Sequence, residues 1–133
     1  MSKSLDNHIE LAATAEETQK RVMQMVTDPQ RMRRSDPGRP EVCNVFSMHK
    51  IFSPAEEVAM IDTECRRAGI GCVDCKKRFA ANLNAHLAPF RERRNELAKD
   101  MAAVQAVLDD GAARARAIAE QTMVEVRKAV GLP

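Results

Sequence analysis

The chain has 133 residues, with 21 Lys and Arg against 19 Asp and Glu, so it is about one domain long and its overall charge excludes nothing by itself. Trp and Tyr are absent and only four Phe occur, so the core must come from Ala, Val, Leu, Ile and Met, which suits packed helices and argues against a β-sandwich. No apolar run is long enough to cross a bilayer and no secretory leader is evident, so no membrane partner and a cytoplasmic setting are expected.

The first thirteen residues read as a loop or extended lead-in. Thr14 and Glu17 form a capping box that opens a helix through about Val26, and Thr27, Asp28 and Pro29 stop it. From there to Pro40 the chain is rich in Pro, Gly and Arg and reads as a surface connection. Its arginines Arg31, Arg33, Arg34 and Arg39 are candidates for phosphate contact, against the alternative of a solvated linker. A short helix is expected over Val42 to Phe52, with Val45, Phe46, Met48 and Phe52 as its buried stripe. Ser53, Pro54 and Glu56 signal the start of the next, which Val58, Met60 and Ile61 carry to Ala68. Gly69 supplies a left-handed stop.

A long helix is expected from Cys72 to Leu97, with Phe79, Leu83, Leu87 and Phe90 on one face and a kink or break at Pro89. Beyond it a short helix over Met101 to Leu108, a break at Gly111 and a last helix over Ala112 to Val130 are expected. No alternating strand pattern or repeat occurs. The expected fold is all-α, a helical bundle.

All four cysteines, Cys43, Cys65, Cys72 and Cys75, fall in one window. A chain kept in a reducing compartment does not hold structural disulfides, so metal ligation is the leading expectation. Cys72 and Cys75 lie one turn apart at the head of a helix, where thiolate is favoured, and the Gly69 to Gly71 hinge can bring Cys65 beside them. Cys43 closes the set from another helix. Zinc accepts four thiolates but usually on two CxxC knuckles, and only one exists here; an iron–sulfur cluster tolerates irregular spacing. The third alternative is that Cys43 and Cys65 are small core residues. Around the cysteines, from Glu64 to Arg94, eight basic side chains face three acidic ones. Arg66, Arg67, Lys76, Lys77 and Arg78 are therefore candidate nucleic-acid contacts, although such a run is commonly a solvated helix face. His49 and His86 read as packed or exposed helix residues rather than ligands.

The opening Met1-Ser2-Lys3-Ser4 resembles the Lys-Met-Ser-Lys-Ser signature of the class of aminoacyl-tRNA synthetases built on a dinucleotide-type fold, without its first lysine. Five further stretches resemble bacterial tryptophanyl-tRNA synthetase in order along the chain: VTDP from Val26, NVFSMHKIFS from Asn44, AGIGCVDCKKR from Ala68, LAPFRERRNEL from Leu87 and GAARARAIAEQTMVEVRKAVGL from Gly111. The resemblance implies a C-terminal part of that enzyme, with residues 1–13 ending the catalytic signature loop and residues 14–133 forming the helical anticodon-binding domain.

It further implies that Lys3 is the catalytic and ATP-binding lysine, with Ser2 and Ser4 shaping its loop. Some members carry a [4Fe-4S] cluster on four cysteines of nearly this spacing, which carries over to Cys43, Cys65, Cys72 and Cys75 and moves the expectation from zinc to a cluster. Tryptophan tRNA, ATP and tryptophan are the implied partners, and a homodimer is implied for the full-length enzyme. The His-Ile-Gly-His signature and the nucleotide-binding sheet have no counterpart here, so this stretch alone is not expected to activate tryptophan. A truncated product begun at an internal methionine is expected. The alternative is a stand-alone iron–sulfur or zinc helical module that binds nucleic acid or senses redox state.

Overall fold

In the computed structural model, which describes residues 3–5 and 7–132 with the side chain of Lys3 left aside, the chain is helical and no strand occurs among the described residues. A 3-10 turn at Lys3–Leu5 precedes α1 (Ala15–Gln24), a second 3-10 turn at Pro40–Val42 leads into α2 (Asn44–Phe52), and α3 (Ala55–Arg66), α4 (Cys72–Leu97) and α5 (Met101–Ala129) follow. The chain forms two compact units, residues 1–91 and residues 92–133, and the boundary falls inside the last turns of α4.

The first unit holds the core. Val22 of α1, Val45 and Phe46 of α2, Ile61 of α3, and Phe79, Ala80, Leu83 and Leu87 of α4 are buried together with Cys43 and Ile70. Val45, Phe46, Ile61, Phe79, Leu83 and Leu87 are positions that the sequence predicts, and the other predicted positions Met48, Phe52, Val58 and Met60 pack half-buried against them. Phe90 departs from the predicted stripe, being 60% exposed beyond the last buried turn of α4. Three side chains of α4 clasp the first helix and its approach: Lys76 Nζ donates to the Met23 carbonyl at 2.9 Å, Asn84 to Ala15 at 3.1 Å, and Arg91 to the Leu11 carbonyl at 3.2 Å and the Thr18 hydroxyl at 2.7 Å.

The caps follow their sequence signals in part. Thr14 and Glu17 close the capping box, with the Thr14 backbone N–H donating to Glu17 at 2.8 Å. Ser53 does not cap α3, whose N-cap is Pro54; its hydroxyl is held inside by His49 and Asn82 instead. At the end of α3 the left-handed residue is Ala68, with φ of 61°, rather than Gly69. Ala68 N–H bonds to the Cys65 carbonyl and Gly69 N–H to the Glu64 carbonyl at 2.7 Å, which is the paired closure of a Schellman motif.

The second unit consists of the end of α4 and α5, and none of α5 is buried. Gly111 does not break it: α5 runs unbroken from Met101 to Ala129. A single interior glycine costs about 1 kcal/mol relative to alanine, which the backbone bonds of a long helix outweigh. Asp100 caps its start through the Ala103 N–H at 2.9 Å, and Gly131, with φ of 72°, ends it. No helix among the described residues is long and apolar enough to cross a membrane.

Alanine in the left-handed region costs about 1 kcal/mol that glycine does not incur. Ala68→Gly is therefore expected to raise stability by up to about 1 kcal/mol in a denaturant titration. An unchanged midpoint would mean that the Schellman closure carries no strain.

Candidate functional site

The cysteines come from three separate parts of the first unit. The 3-10 turn at Pro40–Val42 delivers buried Cys43 to the head of α2, Cys65 lies in the last turn of α3, and Cys72 and Cys75 open α4. The segment between α1 and α2 folds down over them. Gly38 N–H donates to the Cys65 carbonyl at 2.9 Å, and a Cβ at Gly38 would sit 2.4 Å from the Cys65 sulfur, so only glycine lets the backbone pass this close.

Asp28 holds that segment closed. Its buried carboxylate accepts from the Gln30 N–H at 2.9 Å, the Arg39 N–H at 3.0 Å, and Arg39 Nη2 and Nε at 2.7 and 3.1 Å. The Arg39 side-chain bonds, followed by the Gln30 N–H, hold its pKa well below the usual Asp value against the opposing effect of burial.

Arg31, inside the same closed segment, points inward. Its Nη1 lies 3.7 Å from the Cys65 sulfur and 3.8 Å from the Cys72 sulfur, its Nη2 donates to the Ile70 and Arg34 carbonyls at 2.8 and 2.9 Å, and its Nε is buried with no partner among the described residues. On the opposite side stands His49, fully buried against Phe79. Its Nε2 faces the Cys75 carbonyl at 3.2 Å and the Cys75 sulfur at 3.5 Å. A carbonyl only accepts, so Nε2 carries the proton and Nδ1 accepts from the Ser53 hydroxyl at 2.7 Å. Burial lowers the His49 pKa, in keeping with a neutral ring.

The thiols affect one another. Burial, then the charges of Cys43, Cys65 and Cys72, push Cys75 up to about 12, with Arg31 pulling the other way. Cys65 is raised by burial first, then by Cys43 and Cys72, and is lowered by Arg31. The group is thus one electrostatic unit. Among the described residues, however, no three His, Cys, Asp or Glu side chains converge as a single metal ion requires. Two of the sulfurs, those of Cys65 and Cys72, lie beside the Arg31 guanidinium, and a third, that of Cys75, lies beside His49.

The basic candidates divide. Arg66 pairs with Asp62 and Glu41, both at 3.1 Å, Arg67 with Glu64, and Arg78 with Glu57 at 3.5 Å. Lys76 is engaged with α1, and Lys77 is exposed. In the preceding segment Arg31 is directed at the sulfurs and Arg39 at Asp28, with the Arg39 side chain still 41% exposed, while Arg33 and Arg34 stay exposed. Ser2 lies outside the described residues, as does the Lys3 side chain; Ser4 sits in the first 3-10 turn. Sequence reasoning missed Arg31 and His49 as neighbours of the sulfurs. An arginine in a Pro- and Gly-rich stretch reads as solvated, and only the Asp28 closure turns it inward.

The family model described as tRNA synthetases class I (W and Y) matches residues 1–88. The chain belongs to that family. It is 48% identical over its whole length to the tryptophan–tRNA ligase of Aquifex aeolicus and 43% identical, over 99% of its length, to that of Thermotoga maritima. It spans 34% and 40% of those two proteins, respectively. The crystal structure of tryptophanyl-tRNA synthetase from Campylobacter jejuni superposes with a TM-score of 0.84 at 30% identity, over 99% of this chain and 42% of that one. The all-α expectation for this member of the family therefore agrees with both the elements and the comparison.

The Asp28 carboxylate is depressed in the folded chain, so its contribution to stability is fully present above the ordinary Asp range and is lost as pH falls through about 4 toward the folded value. Asp28→Asn is expected to lower Tm at neutral pH and to lose part of the fall in Tm that the wild type shows below about pH 4. Parallel Tm curves for the two proteins would remove Asp28 from this role.

Proposed function

We propose that this chain is the C-terminal, tRNA-recognising part of a tryptophan–tRNA ligase, the enzyme that activates tryptophan with ATP and transfers it to its tRNA. The observation that carries the reading is similarity to tryptophan–tRNA ligases along the whole chain, joined to a helical fold held in common with a tryptophanyl-tRNA synthetase. On this reading residues 1–13 end the signature loop of the catalytic domain and residues 14–133 are the anticodon-binding domain. Lys3 supplies a cation to the ATP phosphates as charge develops there, and Ser2 and Ser4 shape the loop. A related crystal structure is described as complexed with ADP and tryptophan. Dimerisation of the whole enzyme belongs to the same reading.

Unstacked anticodon bases need stacking planes and phosphate contacts. With neither Trp nor Tyr in the chain, guanidinium planes, Phe and His have to serve. Arg66, Arg67, Lys76, Lys77 and Arg78 are the proposed contacts. The three guanidiniums are themselves exposed, and the exposed Arg66–Asp62 pair is worth little, so phosphates can compete for them even though Arg67 and Arg78 pair with half-buried carboxylates.

For the cysteines we infer a [4Fe-4S] group held by Cys43, Cys65, Cys72 and Cys75. Buried thiols that raise one another's pKa become four thiolates only beside compensating positive charge, and the Arg31 guanidinium supplies only part of it. A cluster also suits sulfurs that surround an object larger than one ion, where a lone zinc would need them to converge. Bound there, it would cross-link the chain at four points and carry a one-electron couple.

On the intact protein, Lys77→Glu is expected to weaken binding of tryptophan tRNA and to reduce the slope of log K against log salt by about one. Lys76→Glu should in addition lower Tm, because Lys76 also holds α1. An unchanged salt slope for Lys77→Glu takes that residue out of the interface, and equal affinity for tRNAs of other anticodons overturns the recognition reading. Iron and acid-labile sulfide near four per chain are expected after anaerobic purification. Stoichiometric zinc, or no metal, overturns the cluster.

A further inference from the structure

Arg31 is placed with more constraint than a linker arginine needs. Two backbone carbonyls, Ile70 and Arg34, fix its Nη2, and the fork that results aims Nη1 at the Cys65 and Cys72 sulfurs together. Closure by Asp28 and the passage of Gly38 over Cys65 hold the segment that carries it. Its neighbour Arg33 is exposed and has its backbone N–H on Asp36 at 2.7 Å. A guanidinium with this anchoring is a fixed positive charge beside two of the four sulfurs.

We propose that Arg31 is a positioning residue of the cysteine group, which sets the electron affinity of the group carried there by donating to the Cys65 and Cys72 sulfurs. The inference rests on the cluster reading given above. Hydrogen bonds and charge at ligand sulfurs are among the protein's main controls over the potential of such a group. One electron taken from a reductant adds one negative charge to the site, with no bond made or broken. A cation within hydrogen-bond reach of the sulfurs stabilises that added charge and raises the midpoint. Lysine does not replace it fully, because one ammonium cannot bond two sulfurs and two carbonyls in the planar pattern that the fork satisfies.

The test is a dithionite titration, followed by electron paramagnetic resonance, of the intact protein as wild type, Arg31→Gln, Arg31→Lys and Arg33→Gln, each with iron and sulfide assayed first. Arg31→Gln is expected to shift the midpoint to more negative potential, Arg31→Lys to fall between it and wild type, and Arg33→Gln to match wild type although it removes the same charge. No iron or sulfide in the wild type overturns the cluster reading and this inference with it. A full cluster in Arg31→Gln at the wild-type midpoint overturns the inference alone, as does an equal shift in Arg33→Gln. If Arg31→Gln fails to hold the group, Arg31→Lys decides: a midpoint below wild type supports the role and an identical one removes it.

Discussion

The buried carboxylate of Asp28 is the constraint on which the cysteine-bearing end of the first unit depends. Taking a carboxylate out of water costs several kcal/mol unless its oxygens are fully bonded, and here two backbone N–H groups and both ends of the Arg39 fork satisfy them. Those bonds span from residue 28 to residue 39, so the segment between them has little freedom. Its closure carries Arg31 to the sulfurs, lays Gly38 on Cys65 and starts the 3-10 turn at Pro40 that brings Cys43 in. A stretch that looks like a linker thus becomes one wall of the site.

The opposite wall is built from the core. His49 is a fully buried polar residue between α2 and α4, edge-on to Phe79 at 5.2 Å, and both its nitrogens are bonded. Through Ser53 and Asn82 the bonds continue to Glu57, which also pairs with Arg78 at the surface. A chain of this kind fixes ring orientation and helix register together, because a partly satisfied buried network is costlier than an apolar one. The Cys75 carbonyl and sulfur are therefore positioned by the same contacts that pack the core.

Much of the fold was legible because it depends on local signals. The Thr14 and Glu17 box, the span of α4 from Cys72 to Leu97, and the buried stripe of Phe79, Leu83 and Leu87 all follow from residue type and period. The misreadings share a different origin. Gly111 carries a local penalty too small to interrupt a helix as long as α5, and the Ser53 hydroxyl is taken up by His49 and by Asn82, 29 residues further along the chain, instead of the α3 start. Ala68 takes the left-handed position because the Glu64 and Cys65 carbonyls fix where the turn must reverse, whatever the side chain.

By itself the sequence determined the helical class, the grouping of four thiols on neighbouring elements and the likeness to tryptophanyl-tRNA synthetases, since each is written in composition, period or ordered motifs. Only the tertiary structure decided what surrounds those thiols. Whether an arginine is solvated or buried beside sulfur, and whether a histidine lies on a surface or between two helices, depends on contacts between residues dozens of positions apart. Those contacts are chosen by the need to satisfy buried polar groups throughout the fold at once, and no local pattern records that choice.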